Sequence, residues 1–201
     1  VMERVQKVKE MRENSPDSGA QKLALTPTTF RETNNPVSAI VIPCHSSENR
    51  RYVPMGFIDN SKIVTNAVLF IPNTTLYHFG ILTSNVHMSW MRAVCGRLKS
   101  DYRYSKDVVY NNFPWPTPTE EQKAKIERTA QAILDARALY PDSSLADLYD
   151  EVTMPPELRK AHQENDKAVM RAYGFDIKTT TETSCVAELM RRYQELTEQK
   201  G

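Results

Sequence analysis

One stretch of the sequence, residues 80–116, constrains the fold more than any other. Near its start, Val86, Trp90 and Ala93 follow one another at the i, i+4 and i+7 spacing of one side of an amphipathic helix. This spacing predicts a helix over residues 84–97. The helix needs an apolar surface to cover, so the stretch also predicts a sheet on which it packs.

The residues that follow are basic and aromatic and predict a strand with one charged face. Lys99, Asp101 and Arg103 are two residues apart, so in a strand their side chains point to one face while Tyr102 and Tyr104 point to the other. A lysine can donate to O6 and N7 of guanine while an aspartate accepts from N4 of the paired cytosine. The same pattern also fits a solvated strand face with a weak ion pair, which the spacing alone favours.

The run NNFPWP closes the stretch and predicts a rigid exit from the strand, with Trp115 as its buried anchor. Amino-methyltransferases use a similar run to hold the target amine, but here Phe113 stands where the first proline of that motif belongs. The chain also lacks a glycine-rich turn for S-adenosylmethionine, since it has only 6 glycines. The sequence therefore predicts no catalytic residue in this chain.

The charge of the chain is divided unevenly along its length. The formal net charge of the 201 residues is +1. Residues 1–118 hold 14 Lys and Arg against 9 Asp and Glu, a net +5, whereas residues 119–201 hold 12 against 16, a net −4. A basic part can meet phosphate, and an acidic part more often faces protein or solvent. The asymmetry predicts two domains with different roles.

The pattern of apolar and turn residues predicts an α+β fold, with a curled, mostly antiparallel β-sheet domain carrying packed helices and then an all-α C-terminal domain. Pro54 is expected to place its strand at a sheet edge or at a bulge. Thr117 is expected to cap the first C-terminal helix in a box with Glu120, and Gly174 to end a later one. The predicted strands are 37–43, 51–58 and 63–72, and the predicted helices are 3–13, 145–150, 156–173 and 183–199. The corresponding domains are residues 1–22 (connecting helix and linker), 23–116 and 117–201.

Several classes of site find no support in the sequence. Cys44, Cys95 and Cys185 lack metal-ligand spacing, which is typical of a reduced cytoplasmic protein without structural zinc. The acids before residue 118 are too dispersed for a nuclease metal site, and His162 fits a packed helix face better than a ligand. No run approaches the roughly 18 apolar residues of a membrane span, no signal peptide is visible, and the first residues have the character of the middle of a longer chain.

Three longer runs together resemble a known family. SNVHMSWMRAVCGRLKSDYRYS, then VVYNNFPWP, with IVIPCHSSENRRYVPMGFI upstream, are similar to the MmeI-like restriction-modification enzymes of type IIL, and the resemblance extends from about Leu23 to the end of the chain. Those enzymes are single chains with an endonuclease, an adenine-N6 methyltransferase, a target-recognition domain and a helical C-terminal part. The resemblance implies that residues 23–116 are the target-recognition domain and that the partners are double-stranded DNA and the methyltransferase domain of the same chain. It also implies that S-adenosylmethionine is bound by that domain and not here, in the cytoplasm of a prokaryotic cell.

The resemblance also implies which residues meet DNA. Asn66 is chemically apt, because an amide can pair bidentately with adenine N6 and N7, whereas Cys44 is a poor hydrogen-bonding group that fits a thymine methyl or no contact. The residues implied for base recognition are Cys44, Asn66, Ala67, Lys99, Asp101 and Arg103. Basic side chains and a polar turn are expected to hold phosphates, although each also fits a solvated surface position. The basic residues are Arg50, Arg51, Lys62, Arg92 and Arg97. The turn adds neutral contacts from Ser47, Asn49 and Ser46, which rank below the basic ones.

We therefore expect the site-choosing region of an adenine-N6 DNA methyltransferase with restriction activity or ancestry. Two alternatives remain open. A non-catalytic nucleic-acid-binding module would prefer single strands, on whose bases its tyrosines would stack. A helical protein-interaction adaptor would use the acidic helices as its working surface and would show no salt-dependent binding of duplex DNA.

Overall fold

The computed structural model of the chain describes residues 1–31 and 36–198. Its contacts divide the chain into two compact units, residues 1–35 and 36–201. The domain boundaries after residues 22 and 116 stay predictions.

The first unit consists of short helices held together by one arginine. It contains α1 (Met2–Glu13), α2 (Ser18–Lys22) and a 3₁₀ turn that follows directly. Arg12 donates to the carbonyl oxygens of Leu23, Thr26 and Thr29 at 3.0, 3.1 and 2.8 Å. A single guanidinium therefore fixes the chain that returns along α1, and the predicted helix over residues 3–13 is confirmed.

The second unit contains two antiparallel sheets of three strands each in its described part. The central strand of the first sheet is β1 (Ser38–Pro43), and the central strand of the second is β6 (Asp101–Arg103). The flanking strands are β2 (His45–Ser46), β3 (Gly56–Asp59), β4 (Val68–Pro72) and β5 (Gly96–Leu98). The α+β class and the antiparallel pairing are confirmed, with the strands divided between two small sheets, β3-β1-β4 and β2-β6-β5.

Two of the predicted strands are shorter than expected. The prediction of a strand from residue 51 is wrong, because the ladder with β1 begins only at Gly56, after Pro54, which has no N–H for a ladder. Met55 N–H instead donates to Val53 O at 2.9 Å. β3 has β1 as its single neighbour in the sheet, which confirms the predicted edge position after Pro54. The strand predicted over residues 63–72 is confined to β4.

Two consecutive helices contribute buried side chains to the core of the second unit. The first, α3 (Leu76–Leu82), was not predicted, and it begins at a capping box between Thr75 and His78. The second, α4 (Asn85–Val94), begins at Ser84, whose hydroxyl accepts from His87 N–H. It buries Val86 and Trp90 as predicted, whereas Ala93, which was predicted on the same side, is exposed. Its predicted end at residue 97 is wrong, because residues 96–98 form β5.

The segment that joins the mixed part to the C-terminal helices is not a strand. Residues 106–110 form a π-helical turn, and Trp90 Nε1–H donates to Val109 O there at 2.9 Å. Trp115 is half-buried, so it is not the buried anchor that was predicted, whereas Phe113 is 4% exposed. The junction itself is fixed, since Tyr173 O–H donates to Pro114 O at 2.9 Å from a C-terminal helix.

The remaining described residues are mainly helical, as predicted. The first helix begins two residues later than expected, because Thr119 and Gln122 form the capping box in place of Thr117 and Glu120. Gly174 ends the third helix at a φ of +77°, which confirms its predicted role. Residue 199, the predicted end of the last helix, lies outside the described residues. The helices are α5 (Glu120–Ala138), α6 (Leu145–Leu148), α7 (Pro156–Tyr173) and α8 (Glu182–Glu198).

A buried chain of polar contacts links the mixed part to α7. Tyr52 O–H donates to Asp166 Oδ2 at 2.6 Å, and Asn85 N–H at the start of α4 donates to Asp166 Oδ1 at 2.7 Å. The ring of Tyr52 also stacks on His162 with centroids 4.2 Å apart, and Tyr149 O–H is 2.6 Å from His162 Nε2. His162 is therefore a packed core histidine, as predicted.

No helix among the described residues is long and apolar enough to cross a bilayer.

Candidate nucleic-acid interface

The hairpin of β5 and β6 carries three of the predicted base-recognition residues. Leu98 pairs with Asp101, so the chain reverses through a two-residue turn of Lys99 and Ser100. Lys99 has a φ of +57° and lies in that turn, so the prediction that it shares a strand face with Asp101 and Arg103 is wrong. A strand cannot continue through a residue with this backbone conformation. The three side chains are nevertheless all exposed on the same hairpin, Lys99 and Asp101 at its turn and Arg103 at the other end of the ladder, opposite Gly96.

The alternation along β6 is confirmed. Asp101 and Arg103 are exposed, whereas Tyr102 and Tyr104 are 7% and 3% exposed. The two tyrosines pack into the core, where Tyr104 O–H lies 3.0 Å from Nε2 of the buried His87. Neither ring is available to stack on an unpaired base, so the argument for a single-strand-binding module loses its support.

Arg97 stiffens the hairpin from within. Its guanidinium lies 4.1 Å above the ring of Tyr102, the residue that it faces across the hairpin, and its Nη1 donates to Ser100 O at 2.8 Å. One side chain therefore covers the buried tyrosine and closes the turn that presents Lys99. Arg97 was predicted to bind a phosphate, but its guanidinium is already engaged by the Tyr102 ring and the Ser100 carbonyl.

Cys44, Asn66 and Ala67 form a second group at the junction of the two sheets. Cys44 N–H donates to Ala67 O at 2.9 Å, and Cys44 Sγ lies 3.8 Å from Asn66 O. On its other side, Cys44 O accepts from Tyr104 N–H at 2.9 Å. Cys44 thus connects the turn before β4 to the residue that follows β6. We call the six residues Cys44, Asn66, Ala67, Lys99, Asp101 and Arg103 the recognition cluster.

The turn after β2 lies against the recognition cluster. Asp101 Oδ1 accepts from Glu48 N–H at 3.3 Å, and Ser47 Oγ accepts from Asn49 N–H at 3.3 Å within the same turn. Arg50 N–H donates to Ser47 O at 3.1 Å, and its Nε is buried without a hydrogen-bond partner among the described residues. The predicted phosphate contacts of this turn therefore adjoin the predicted base contacts.

Two residues of this region were not predicted. His45 lies opposite Arg103 in the ladder between β2 and β6 and is exposed, and Glu48 donates the backbone hydrogen bond to Asp101. Both positions follow from a pairing between strands more than 50 residues apart in sequence. The one local signal was their place in the turn after Cys44.

The other predicted phosphate contacts already have intramolecular partners. Arg92 Nε is 2.7 Å from Glu182 Oε1 of α8, and Arg51 Nε donates to the hydroxyl oxygen of Tyr52 at 3.2 Å. Arg51 and Arg92 line one cavity of about 360 Å³ beside the start of α8. Lys62 pairs with Asp59 at 3.2 Å, and hydrogen bonds from Ser61 and Lys62 lower the pKa of Asp59 to about 2.

The described residues contain no group of side chains that could bind a metal ion. Within residues 1–31 and 36–198, no three His, Cys, Asp or Glu side chains converge as a metal site requires. The recognition cluster instead combines exposed acidic and basic side chains with an amide, all on short strands and turns. Such an arrangement can read the edges of base pairs and hold phosphates.

Comparisons with known proteins agree with this arrangement. The family model described as MmeI, target recognition domain, matches residues 1–117, and the one described as MmeI, C-terminal domain, matches residues 118–200. DNA methyltransferase A of Bacillus subtilis (strain 168) is 43% identical over 199 residues, which are 98% of this chain and 22% of that protein. The solved structure of the type IIL restriction-modification enzyme MmeI in complex with DNA matches with a TM-score of 0.90 and 46% identity, over 98% of this chain and 26% of that one.

The chain thus spans about a quarter of the length of these relatives. Both domain models match in sequence order and meet between residues 117 and 118, where the Pro-Trp-Pro junction leads into α5. The chain belongs to the MmeI family, of which it comprises the target-recognition domain and the C-terminal domain.

Proposed function

We propose that this chain recognises a specific sequence in double-stranded DNA and directs an adenine-N6 methyltransferase, with restriction activity or ancestry, to that site. The recognition cluster is the observation that carries the proposal. It gathers side chains from three separate segments of the chain, around residues 44, 66 and 101, at the junction of two sheets. The MmeI relative was solved in complex with DNA, which supports the same assignment for this chain.

The chemistry of the cluster suits the major groove. Asp101 can accept from N4 of cytosine, and Lys99 and Arg103 can donate to O6 and N7 of guanine. We assign Lys99 and Asp101 together to one G·C pair, because Lys99 lies in the two-residue turn of the hairpin and Asp101 directly follows that turn. Asn66 suits adenine. Each such contact is worth about 1 to 3 kcal/mol of discrimination against the wrong base.

The residues around the cluster would supply affinity without sequence information. Backbone contacts fix the register of a protein on the duplex, and base contacts specify the sequence. Ser47, Asn49 and Arg50 adjoin the cluster, while Arg51 and Arg92 lie at the cavity beside α8. Lys62 and Arg97 complete the set of proposed phosphate contacts. Binding should therefore weaken steeply as salt is raised.

The chemical step belongs to another part of the parent protein. The proposed methyltransferase domain would bind S-adenosylmethionine and act in the cytoplasm of a prokaryotic cell. Its target amine cannot be reached inside the stack, so the adenine must be extruded from the duplex. This chain contributes by holding the duplex in one register while that base is turned out.

The test is a charge exchange in the full-length parent protein. The variant Lys99→Glu/Asp101→Arg reverses both proposed readers, and adenine methylation is then mapped across a DNA library. We expect methylation to persist with one position of the site changed from G to another base. Lys106→Glu/Asp107→Arg is the matched control, because it exchanges an exposed pair of the same residue types, 3.8 Å apart, outside the cluster.

The outcomes separate two failures. If the cluster variant is folded but inactive while the control keeps the original site, Lys99 and Asp101 have a structural or phosphate role and do not read a base pair. If the unaltered parent methylates no defined site, the proposed function itself is wrong.

A further inference from the structure

The arginines of the C-terminal helices divide into two groups. Six arginines lie between residues 119 and 198. Four of them are held by carboxylates, a tyrosine hydroxyl or backbone carbonyls: Arg137, Arg159, Arg191 and Arg192. The side chains of Arg128 and Arg171 make no hydrogen bond or ion pair with any residue in the described parts of the chain. Both are exposed.

The two unpaired arginines line the same place. A shallow depression between α5 and α7 is bordered by Arg128 on α5, Arg171 on α7 and Lys125, one turn before Arg128. We call these three residues the basic depression. Because the four other arginines of this part of the chain are all engaged, the convergence of the two unengaged ones is the feature that requires an explanation.

The charge of the depression opposes that of its surroundings. One acid, Glu121, lines it beside the three cations, which leaves a local excess of two positive charges. The nearby Glu164 is 2.6 Å from Lys167, whose hydrogen bond is the main cause of its lowered pKa. The charges of Lys125 and Arg171 lower that pKa further. The whole of residues 119–201 carries a net charge of −4. A concentration of positive charge in an acidic domain indicates an anionic partner.

The lining of the depression favours nucleic acid over an acidic protein segment. Ala168 is the one apolar residue that borders it, and Thr119 and Gln122 are the neutral polar ones. Protein interfaces depend on apolar and aromatic anchors at their centres, and none is present here. Contacts to a sugar-phosphate backbone need exposed cations and no apolar anchor.

We propose that the basic depression is a second contact with duplex DNA, in which Arg128, Arg171 and Lys125 bind backbone phosphates outside the recognition cluster. This inference rests on the proposed function, since it requires that the parent protein binds a duplex. Under this proposal, the C-terminal domain strengthens binding to duplex DNA but does not take part in choosing the sequence.

The test measures how binding of the full-length parent depends on salt. The double variant Arg128→Ala/Arg171→Ala removes two proposed phosphate-binding side chains. For each phosphate that the protein no longer neutralises, the slope of log affinity against log salt concentration becomes shallower by about 0.9, so we expect a change of about 2. The mapped methylation site should stay the same. Backbone protection by the parent should also shorten on one side of the site.

Lys160→Ala/Lys178→Ala is the matched control, because it removes two exposed charges of the same domain that do not line the depression. Thermal unfolding of both variants verifies that they are folded. An unchanged slope in the arginine variant would overturn the proposal, and so would an equal change in both variants, which would reflect net charge alone. A parent that shows no salt-dependent duplex binding would instead refute the proposed function.

Discussion

At the scale of single residues, Asp166 is a buried carboxylate that joins α7 to the mixed part. Burial raises its pKa to about 6, although the hydrogen bonds from Tyr52 and Asn85 and the charges of Arg51 and Arg92 act in the opposite direction. An aspartate whose pKa is higher in the folded than in the unfolded protein binds its proton more tightly in the fold. Its contribution to stability is therefore complete below about pH 4 and is lost as the pH rises through 6.

This sign gives a prediction for Asp166→Asn in the 201-residue chain. From pH 4 to 7, the free energy of unfolding of the unaltered chain should fall relative to that of the variant. Two pKa units correspond to about 3 kcal/mol, which bounds the relative change. Urea unfolding at several pH values measures it. The buried His87 and His162, whose pKa values burial lowers to about 3, titrate alike in both chains. Parallel curves would show that Asp166 stays ionised throughout.

Glu182 provides a second prediction at this scale. It holds Arg92 at 2.7 Å, so a phosphate must displace it or share the guanidinium. We expect Glu182→Gln to tighten duplex binding by the full-length parent by up to about fivefold, because an exposed ion pair is worth about 0.2 to 1 kcal/mol. Glu195→Gln, which removes a paired acid from the same helix, is the control in a titration with labelled duplex. Equal effects would mean that Arg92 does not meet a phosphate.

At the scale of elements, the approach of α3 to α5 depends on one glycine. A Cβ on Gly80 would lie 2.6 Å from Ile126 Cγ2 and 3.2 Å from Ala130 Cβ. Ile126 is fully buried and, as a β-branched residue, has little freedom to turn away. In addition, Asn165 Nδ2 donates to Gly80 O at 2.7 Å, which ties α3 to α7 at the same place. Three helices therefore meet where no side chain fits.

The corresponding prediction is that Gly80→Ala lowers the free energy of unfolding by about 1 to 3 kcal/mol, the usual cost of overpacking a core. Gly56→Ala is the control, since a Cβ there would meet Leu145 Cδ1 at an ordinary 3.8 Å. Because a Cβ fits there, that control should raise stability by about 0.4 to 1 kcal/mol rather than lower it. Urea unfolding compares the two variants, and equal midpoints would mean that the helices separate at little cost.

The elements that the sequence predicted well are those with local signals. α7 has its predicted ends, because Pro156 and Gly174 mark both of them. In the site, the alternation of Asp101 with Tyr102 was predictable from the strand period. The turn at Lys99 was not predictable from the sequence. Strand pairing within the hairpin imposes the positive φ of Lys99, and lysine is not a residue type that favours this conformation. The contact of Cys44 with Ala67 depends likewise on non-local pairing.

At the scale of the whole second unit, the mixed part and the C-terminal helices share polar links as well as apolar packing. Arg137 Nη1 donates to Met55 O at 2.7 Å, and Tyr52 reaches Asp166 across more than 100 residues of sequence. A buried hydrogen bond that loses one partner leaves the other unsatisfied, at a cost of about 1 to 3 kcal/mol. The mixed part, which holds the predicted recognition residues, is therefore joined to the C-terminal helices by polar contacts as well as by packing.

Because these hydrogen bonds join the mixed part to the C-terminal helices, we expect residues 36–198 to unfold as one cooperative unit. Trp90 and Trp115 report on the mixed part by fluorescence, whereas far-UV circular dichroism reports mainly on the long helices α5, α7 and α8, so the two urea transitions should coincide. Tyr52→Phe removes one hydroxyl and keeps the ring stacked on His162, and it should shift both transitions together to lower urea. Tyr140→Phe, which removes an exposed hydrogen bond to Glu157, should shift neither appreciably. Separate transitions would contradict the prediction, because the helices would then fold without the domain that they support.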